Sequence, residues 1–363
     1  MMFYNELDSY QIRKTDGRDH LMSMKVNGEL DFLFETLGLL YHNYHFDKIK
    51  SDLMKDFAEF GINGEVFYQQ HLKILDKYIL TFTKNRKVSS ADNFYFGDYD
   101  TKFFLFYCDT LIRNRNYLAM EWESDHSIKT EMLKSLQAVY DYDTSGIDID
   151  NLESIIQFLE QSKLNENTKW KIMQFFYQPK ERFQTLADLV NANIEPYKKA
   201  LNAISKPLSA LLNDYQNSYN GESSFNLLKS VENTSNIIAV CPTLIFPVAQ
   251  LSLGEYFYYG LLSSLAFEKT NSHANSTESI LLRLKAISDN SKLQILLSLK
   301  DSPKYNLEIA EQLGLTAATM SHHMNVLLTC GLVGVTKKHG RVYYHIDIEH
   351  IRKFIIDLQE LLL

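Results

Sequence analysis

The C-terminal part of the chain carries the pattern that most restricts what the whole can fold into. Residues 307–313 repeat apolar side chains at helical spacing, and Gly314 then ends that helix, because glycine readily adopts the left-handed conformation of a helix end. Thr316 suits the N-cap of a second helix, and residues 331–333 and 340–344 indicate a β-hairpin after it. This order of helix, tight turn, helix and hairpin predicts a winged helix-turn-helix.

The second helix of this pattern has one apolar face and one small, polar face. At about 100° per residue, Met320, Met324 and Leu327 fall within about 60° of one another and are expected to face the core. The opposite face carries side chains that suit base edges in a major groove, because they are short or can hydrogen-bond: Ala318, Thr319, Ser321, His322 and Asn325. A solvated surface has the same composition, so this face alone leaves DNA binding open.

The hairpin tip adds positive charge, with Lys337, Lys338 and Arg341 around a glycine turn. Such groups can bind phosphates or enter a minor groove, which favours DNA binding by the adjacent helix. The net charge is −8, but residues 275–363 hold 10 of the 37 Lys and Arg and only 9 of the 45 Asp and Glu. The acidity therefore belongs to the N-terminal part, and the C-terminal part is free to approach a polyanion.

Four segments of the C-terminal part together resemble signatures of ArsR-type winged-helix repressors: 289–296, 313–316, 321–324 and 340–344. The resemblance implies a bacterial, cytoplasmic transcription regulator that binds DNA as a dimer and responds to an effector. It also implies that the following residues face DNA: Thr316, Ala318, Thr319, Ser321, His322 and His323. The helical wheel turns His323 partly inward, so a phosphate contact or a packing role suits it better than base reading.

The metal sites of that family do not carry over to this sequence. Tyr305 and Leu307 stand where the resemblance would require cysteines. Near the end of the chain His350 fills a histidine place, but Ile348 replaces its aspartate and Leu361 replaces the partner histidine. We therefore expect no metal and no other cofactor, and an effector that is a small molecule or another non-metal signal.

The last helix has an apolar stripe that is unusually complete for so small a domain: Ile351, Phe354, Ile355, Leu358 and Leu362. The stripe can pair with its twin in a second subunit or dock on the N-terminal part. We expect a homodimer, which predicts a double-stranded DNA operator of two-fold symmetry with half-sites about one helical turn apart.

Residues 1–270 are predicted to form a large, mainly helical domain for sensing or dimerisation. Only 14 glycines and 6 prolines interrupt 363 residues, which favours helices over turn-rich β structure. Apolar spacing predicts helices over 29–41, 48–60, 64–86, 100–113, 127–140 and 150–163, two or three more over 167–213 (one starting at Pro179), and a loop over 214–224. A small β element is expected near 236–259, and the polar run 269–276 leads to a winged-helix domain over 275–363.

Two places in the N-terminal domain have residues that can bind a metal ion. His42 and His45 are three residues apart and share a helix face, although two polar residues near a helix end are the plainer interpretation. The stretch Asp141–Glu153 begins like a calcium-binding loop but has Leu152 where that loop needs a glutamate, which favours an acidic, solvated turn over calcium. The aromatic residues over 94–107 can line a ligand pocket, and a core is the simpler expectation.

Motifs of catalysis are absent from the sequence, which has no nucleophile elbow, no phosphate-binding glycine loop and no Cys-x-x-Cys. No apolar run is long enough to cross a membrane, and the N-terminus does not resemble a signal peptide. The three widely spaced cysteines suit a reducing cytoplasm. We therefore expect a transcription regulator and not an enzyme. The alternative is a winged helix that binds a protein partner without sequence-specific DNA binding.

Overall fold

The computed structural model describes residues 25–59, 62–140, 146–219, 237–266, 277–314, 326–328, 330–338 and 341–363, and single residues at 142, 144, 320, 323 and 324. These residues form a mainly helical structure with two small sheets, which confirms the predicted fold class. Within the described ranges, no helix has the length and apolar character needed to cross a membrane.

The N-terminal part is built chiefly of helices, with these bounds: α1 Phe32–Glu59, α2 Gly64–Phe67, α3 Lys73–Asn85, α4 Asp92–Phe96, α5 Thr101–Arg113, α6 Asp125–Tyr140, α7 Leu152–Gln161, α8 Glu166–Tyr177, α9 Pro179–Ala192, α10 Ile194–Ala203 and α11 Ser205–Tyr219. A π-helical turn over Tyr68–Leu72 joins α2 to α3, and a 3-10 turn over Arg115–Ala119 follows α5. Side chains that accept a backbone N–H fix the starts of α2, α5, α7 and α8: Asn63, Asp100, Asn151 and Asn165. Pro179 opens α9, as predicted.

Three predictions about the helices are wrong, and in two of them burial overrides local polarity. α1 is one helix of 28 residues, whereas the sequence predicted one helix to residue 41 and another from 48. The intervening segment begins with His42, which is polar in sequence but buried in the structure, and the helix continues through it. Residues 167–213 belong to four helices and not to two or three. Helix α11 extends to Tyr219, into the loop predicted over 214–224, because its Tyr215 is buried, and residues 220–224 of that loop lie outside the described residues.

Four short strands form the sheet of the N-terminal part: β1 Lys25–Val26, β2 Ala239–Thr243, β3 Gln250–Leu253 and β4 Tyr256–Gly260. Their order is β1-β2-β4-β3, with β2 parallel to both β1 and β4 and with β3 antiparallel to β4. The β element near 236–259 is thus confirmed and contains β2, β3 and β4, whereas β1 was missed. Pro242 lies inside β2, beyond the residues that pair with β1, so its missing N–H breaks no bond to that strand.

Helix α5 lies at the centre of the N-terminal part, and every residue from Phe103 to Ile112 is buried. It contacts α1, α6 and β3, which together cover it. The sheet packs on α1 through Phe34, whose ring centroid lies 4.2 Å from that of Tyr258 and 5.4 Å from that of Phe246. The many aromatic side chains therefore mainly build one apolar core.

The described residues of the C-terminal part form these elements: α12 Thr277–Ser288, α13 Asn290–Ser298, α14 Asn306–Leu313, β5 Val333–Lys338, β6 Arg341–Ile346 and α15 Ile348–Leu362. Residues 320, 323, 324 and 326–328, between α14 and β5, are also helical. Buried residues between Ala286 and Tyr344 form a second core that shares no residue with the first. Two separate cores favour the division into 1–270 and 275–363. The boundary at 267–276 lies outside the described residues, so the division stays a prediction.

Candidate nucleic-acid interface

The helices of the predicted winged helix begin and end where local sequence signals place them. Asp289 Oδ1 accepts a hydrogen bond of 3.0 Å from the backbone N–H of Lys292 at the start of α13. This bond lowers the pKa of Asp289, which keeps the cap charged at the positive end of the helix dipole. Gly314, with φ of +65°, ends α14 in the left-handed conformation.

The second helix of the motif turns its apolar face into the core. Residues 323, 324 and 326–328 are helical, as is 320, and the side chains of Met320, Met324 and Leu327 are fully buried, as the helical wheel predicted. They belong to the core that also contains residues of α13 and α14. The residues predicted to face DNA lie outside the described residues, so their role stays a prediction: Thr316, Ala318, Thr319, Ser321, His322 and Asn325.

His323 is half-buried, which agrees with the partly inward direction expected from the helical wheel. It lies near Asp289, and its charge contributes to the lowered pKa of that carboxyl, although the bond from Lys292 has the largest effect. This position at the start of α13 suits packing or a phosphate contact better than base reading. Its contact with DNA stays a prediction.

The wing is the antiparallel hairpin of β5 and β6, with a register that runs from Val333 paired with Ile346 to Lys338 paired with Arg341. Only residues 339 and 340 join the two strands, so Lys337, Lys338 and Arg341 occupy its tip, as predicted from sequence. The base is fixed by Lys304, whose backbone N–H donates to the carbonyl of Tyr344 at 3.0 Å and whose carbonyl accepts from Tyr344 N–H at 2.7 Å. The DNA contacts of the three cationic residues stay predictions.

The apolar stripe of the last helix is divided between the interior and the surface. Phe354 is buried within its own chain, so it is not available to a second subunit in the way that the sequence suggested. Ile351 and Leu358 are half-buried, whereas Ile355 is 55% exposed and Leu362 is 72% exposed. The exposed half of the stripe still suits a dimer contact, and that contact stays a prediction.

Arg283 on α12 joins three elements of the winged helix, and the sequence analysis missed it. Its Nε donates to the carbonyl of Cys330 at 3.1 Å, just beyond the second helix of the motif. Its Nη1 lies 3.8 Å from Asp357 Oδ2 on α15, and its guanidinium lies 5.8 Å from the ring centroid of Phe354. These partners are distant in sequence, so no local spacing pointed to them.

The positions that correspond to metal ligands of the family have other contacts here. The ring of Tyr305 meets that of Tyr343 edge-on, with centroids 6.1 Å apart. His350 Nδ1 lies 2.8 Å from Asp347 Oδ2, and the same aspartate caps α15. Across the described residues, no group of three or more His, Cys, Asp or Glu side chains is placed to hold a metal ion. The three cysteines are buried thiols.

His42 and His45 differ from the expected polar pair near a helix end. Both lie well inside α1, and His45 Nε2 donates to the carbonyl of Phe96 at 2.8 Å. His42 is 2% exposed, and neither of its ring nitrogens has a hydrogen-bond partner among the described residues. This burial was not predicted from the sequence.

The acidic stretch Asp141–Glu153 is only partly described, since Asp141, Asp143 and Ser145 lie outside the described residues. Two of its remaining polar residues have structural partners: Asp150 lies 2.7 Å from His126 Nδ1, and Asn151 caps α7. The choice between a calcium loop and an acidic turn therefore stays open.

Comparison with known proteins places the resemblance in the C-terminal part. Residues 289–335 match the family model for bacterial regulatory proteins of the arsR family. The HTH-type transcriptional regulator CmtR of Mycobacterium tuberculosis is 34% identical over 87 residues, which are 24% of this chain and 74% of that protein. The HTH-type transcriptional regulator KmtR of the same organism is 32% identical over 73 residues, which are 20% of this chain and 56% of that protein. No solved structure matches the chain.

Proposed function

The chain belongs to the ArsR family of bacterial regulatory proteins through its C-terminal winged helix, and we propose that it is a repressor controlled by its helical N-terminal part. The complete burial of Met320, Met324 and Leu327 is the observation that supports DNA contact by the second helix of the motif. A helix that turns these residues inward presents its other face outward, and in this sequence that face is short or polar. We therefore also propose that the protein acts in the cytoplasm, where a bacterial DNA operator would lie.

The wing supports binding to phosphates. The strand register pairs Lys338 with Arg341, so two cationic residues stand together at the hairpin tip. Phosphates that bind cationic residues release counterions from the DNA, which favours binding of this tip to a polyanion.

A homodimer is the assembly we propose, because apolar side chains remain exposed on both end helices of the C-terminal part. Leu281 on α12 is 53% exposed, in addition to Ile355 and Leu362 on α15. Ile355→Glu should shift the protein from dimer to monomer in analytical ultracentrifugation, because it places a charge in the contact. Lys353→Glu on the same helix should leave the dimer intact.

The N-terminal part is proposed to sense a non-metal small molecule. It has its own core of helices and sheet, which gives a ligand a separate body to stabilise or distort. No catalytic role is proposed for it.

The decisive test measures binding to the DNA upstream of the protein's own gene by fluorescence anisotropy over about 50 to 300 mM salt. Replacing Lys337, Lys338 and Arg341 by alanine should weaken binding and lower the salt slope by up to about 3, since each phosphate contact contributes about 0.9. The matched control replaces three exposed lysines of the N-terminal part by alanine: Lys163, Lys180 and Lys198. It removes the same charge and should leave the slope unchanged.

The second candidate is a winged helix that docks a protein partner, and the acidic N-terminal part favours it, because that part repels DNA. Under this alternative the wing variant and the control variant should show the same salt dependence of DNA binding. Absence of binding to any genomic fragment at low salt would replace the first proposal by the second.

A further inference from the structure

A cleft with a cavity volume of about 50 Å³, which opens to solvent, lies beside the middle of α1. Its walls include Phe46 and Ile49 from α1, Tyr68 from the π-helical turn, and Phe246 from the segment between β2 and β3, and residues of α3 and of the loop before α5 complete them. These side chains are apolar or aromatic, which is the usual lining of a small-molecule site. π-helical turns within helices are also frequent at functional sites.

His42 is the polar side chain of this cleft that has no hydrogen-bond partner among the described residues. It is 2% exposed, and neither Nδ1 nor Nε2 has a hydrogen-bond partner among the described residues. Its ring meets Phe246 edge-on, with centroids 5.2 Å apart. Buried polar groups in native proteins are nearly always hydrogen-bonded, so an unpartnered one that lines a cleft points to a ligand.

The segment that contains Phe246 is held beside α1 by a second buried polar group on that helix. Glu35 Oε1 accepts hydrogen bonds from Thr243 Oγ1 at 2.7 Å and from the backbone N–H of Leu244 at 2.9 Å. Its Oε2 accepts a bond of 3.0 Å from the hydroxyl of Tyr78. The segment that contains Phe246 is thus tied to α1 two turns before His42, so the cleft has a fixed geometry.

The charged groups at the rim are already engaged, which restricts the ligand. Lys50 Nζ lies 4.0 Å from Asp76 and 3.9 Å from the ring centroid of Tyr68. Asp52 accepts a hydrogen bond of 2.9 Å from Tyr99. A charged ligand in the apolar interior would lack a counter-charge, and burying an unpaired charge is strongly unfavourable. The ligand must therefore be uncharged.

We propose that this cleft binds a small, uncharged molecule with an apolar or aromatic body and one hydroxyl group, which hydrogen-bonds to His42. Burial lowers the pKa of His42 to about 3, so the imidazole is neutral and offers one donor and one acceptor. A hydroxyl group complements both roles, whichever ring nitrogen carries the hydrogen. The further role of this molecule as effector rests on the proposed function, whereas its binding does not.

The test uses the full chain and 4-ethylphenol as the probe, with binding followed by titration calorimetry and ligand-observed NMR. Two matched compounds separate the interactions: 4-ethyltoluene replaces the hydroxyl by a methyl group, and 4-ethylbenzoate carries a charge. Wild type should bind 4-ethylphenol about tenfold more tightly than 4-ethyltoluene, as one hydrogen bond in an apolar site predicts. It should not bind 4-ethylbenzoate measurably.

Substitutions in the cleft test whether the preference for 4-ethylphenol over 4-ethyltoluene comes from this site. His42→Phe should abolish the preference for the phenol, and Ile49→Trp should block all binding by filling the cleft. Leu53→Trp serves if Ile49→Trp does not fold. His45→Phe is the matched control, because His45 lies on the same helix but bonds Phe96, and it should keep the preference.

Two results overturn the proposal: no binding of 4-ethylphenol by wild type, or binding that His42→Phe and the tryptophan variants leave unchanged. If the full chain binds 4-ethylphenol as expected but binds no DNA, the ligand site is supported and the proposed function is wrong.

Discussion

Replacing His42 by phenylalanine should make the protein more stable, which is unusual for a change at a fully buried position. A buried polar group without a hydrogen-bond partner costs about 1–3 kcal/mol, and both nitrogens of His42 are in that state among the described residues. Phenylalanine keeps the aromatic ring and removes this penalty. Its larger ring can cost about 1 kcal/mol of overpacking, and the adjoining cleft limits that cost. The expected net gain is about 1–2 kcal/mol.

Thermal and urea denaturation followed by circular dichroism measure this gain. One kcal/mol corresponds to about 2–4 °C in a unit of this size, so Tm should rise by about 2–8 °C. His45→Phe is the control, because it removes the 2.8 Å bond to the carbonyl of Phe96, and its Tm should fall by a few degrees.

The stability gain of His42→Phe over wild type should also grow as the pH falls. The folded-state pKa of His42 is depressed to about 3, while the unfolded chain binds its proton near 6.5, so wild type loses stability from about 6.5 down toward 3. His42→Phe lacks that loss, and the difference between the two proteins should widen by about 1.4 kcal/mol per pH unit. A variant that is less stable than wild type at every pH would refute the reasoning, since His42 would then have a polar partner.

Three other changes follow from single contacts. Burial raises the pKa of Glu35 to about 7, so its contribution to stability is complete below pH 4.5 and is lost as the pH rises through 7. Glu35→Gln should remove up to about 3 kcal/mol of the change in unfolding free energy between pH 4.5 and 7. Urea denaturation of variant and wild type at several pH values measures this difference. Arg283→Met should raise hydrogen exchange around Cys330 in the full chain by weakening the structure about 1–3 kcal/mol, because the carbonyl loses its donor. Gly314→Ala should cost about 1–2 kcal/mol in urea denaturation, since φ is +65° and no neighbouring atom crowds an added Cβ.

The winged helix was predictable because its signals are local. Asp289 caps the helix that directly follows it, and Gly314 ends the helix that directly precedes it. The inward direction of Met320 and Met324 follows from their spacing of four residues within one helix. None of these predictions required knowledge of a distant part of the chain.

The candidate ligand site was not predictable, because its parts meet only in the folded chain. His42 looked like a surface residue, and its burial depends on Phe246, two hundred positions later. Glu35 had no visible partner until the fold brought Thr243 to it. The strand β1 has only two residues, too few for a pattern, and its pairing with β2 defines it.

The parallel pairing of β1 with β2 sets the order in which the chain can fold. Asn27 donates a hydrogen bond to Cys241, 214 positions away, so one edge of the sheet waits for nearly the whole N-terminal part to be synthesised. At about 5–20 residues per second, α1 leaves the ribosome roughly 10 to 40 seconds before β2 follows it. During that interval Glu35 lacks Thr243, and Phe34 lacks Tyr258. A nascent chain that stalls before residue 239 can therefore pack α3, α5 and α10 on α1 but leaves the side of α1 that carries Phe34 and Glu35 without its sheet.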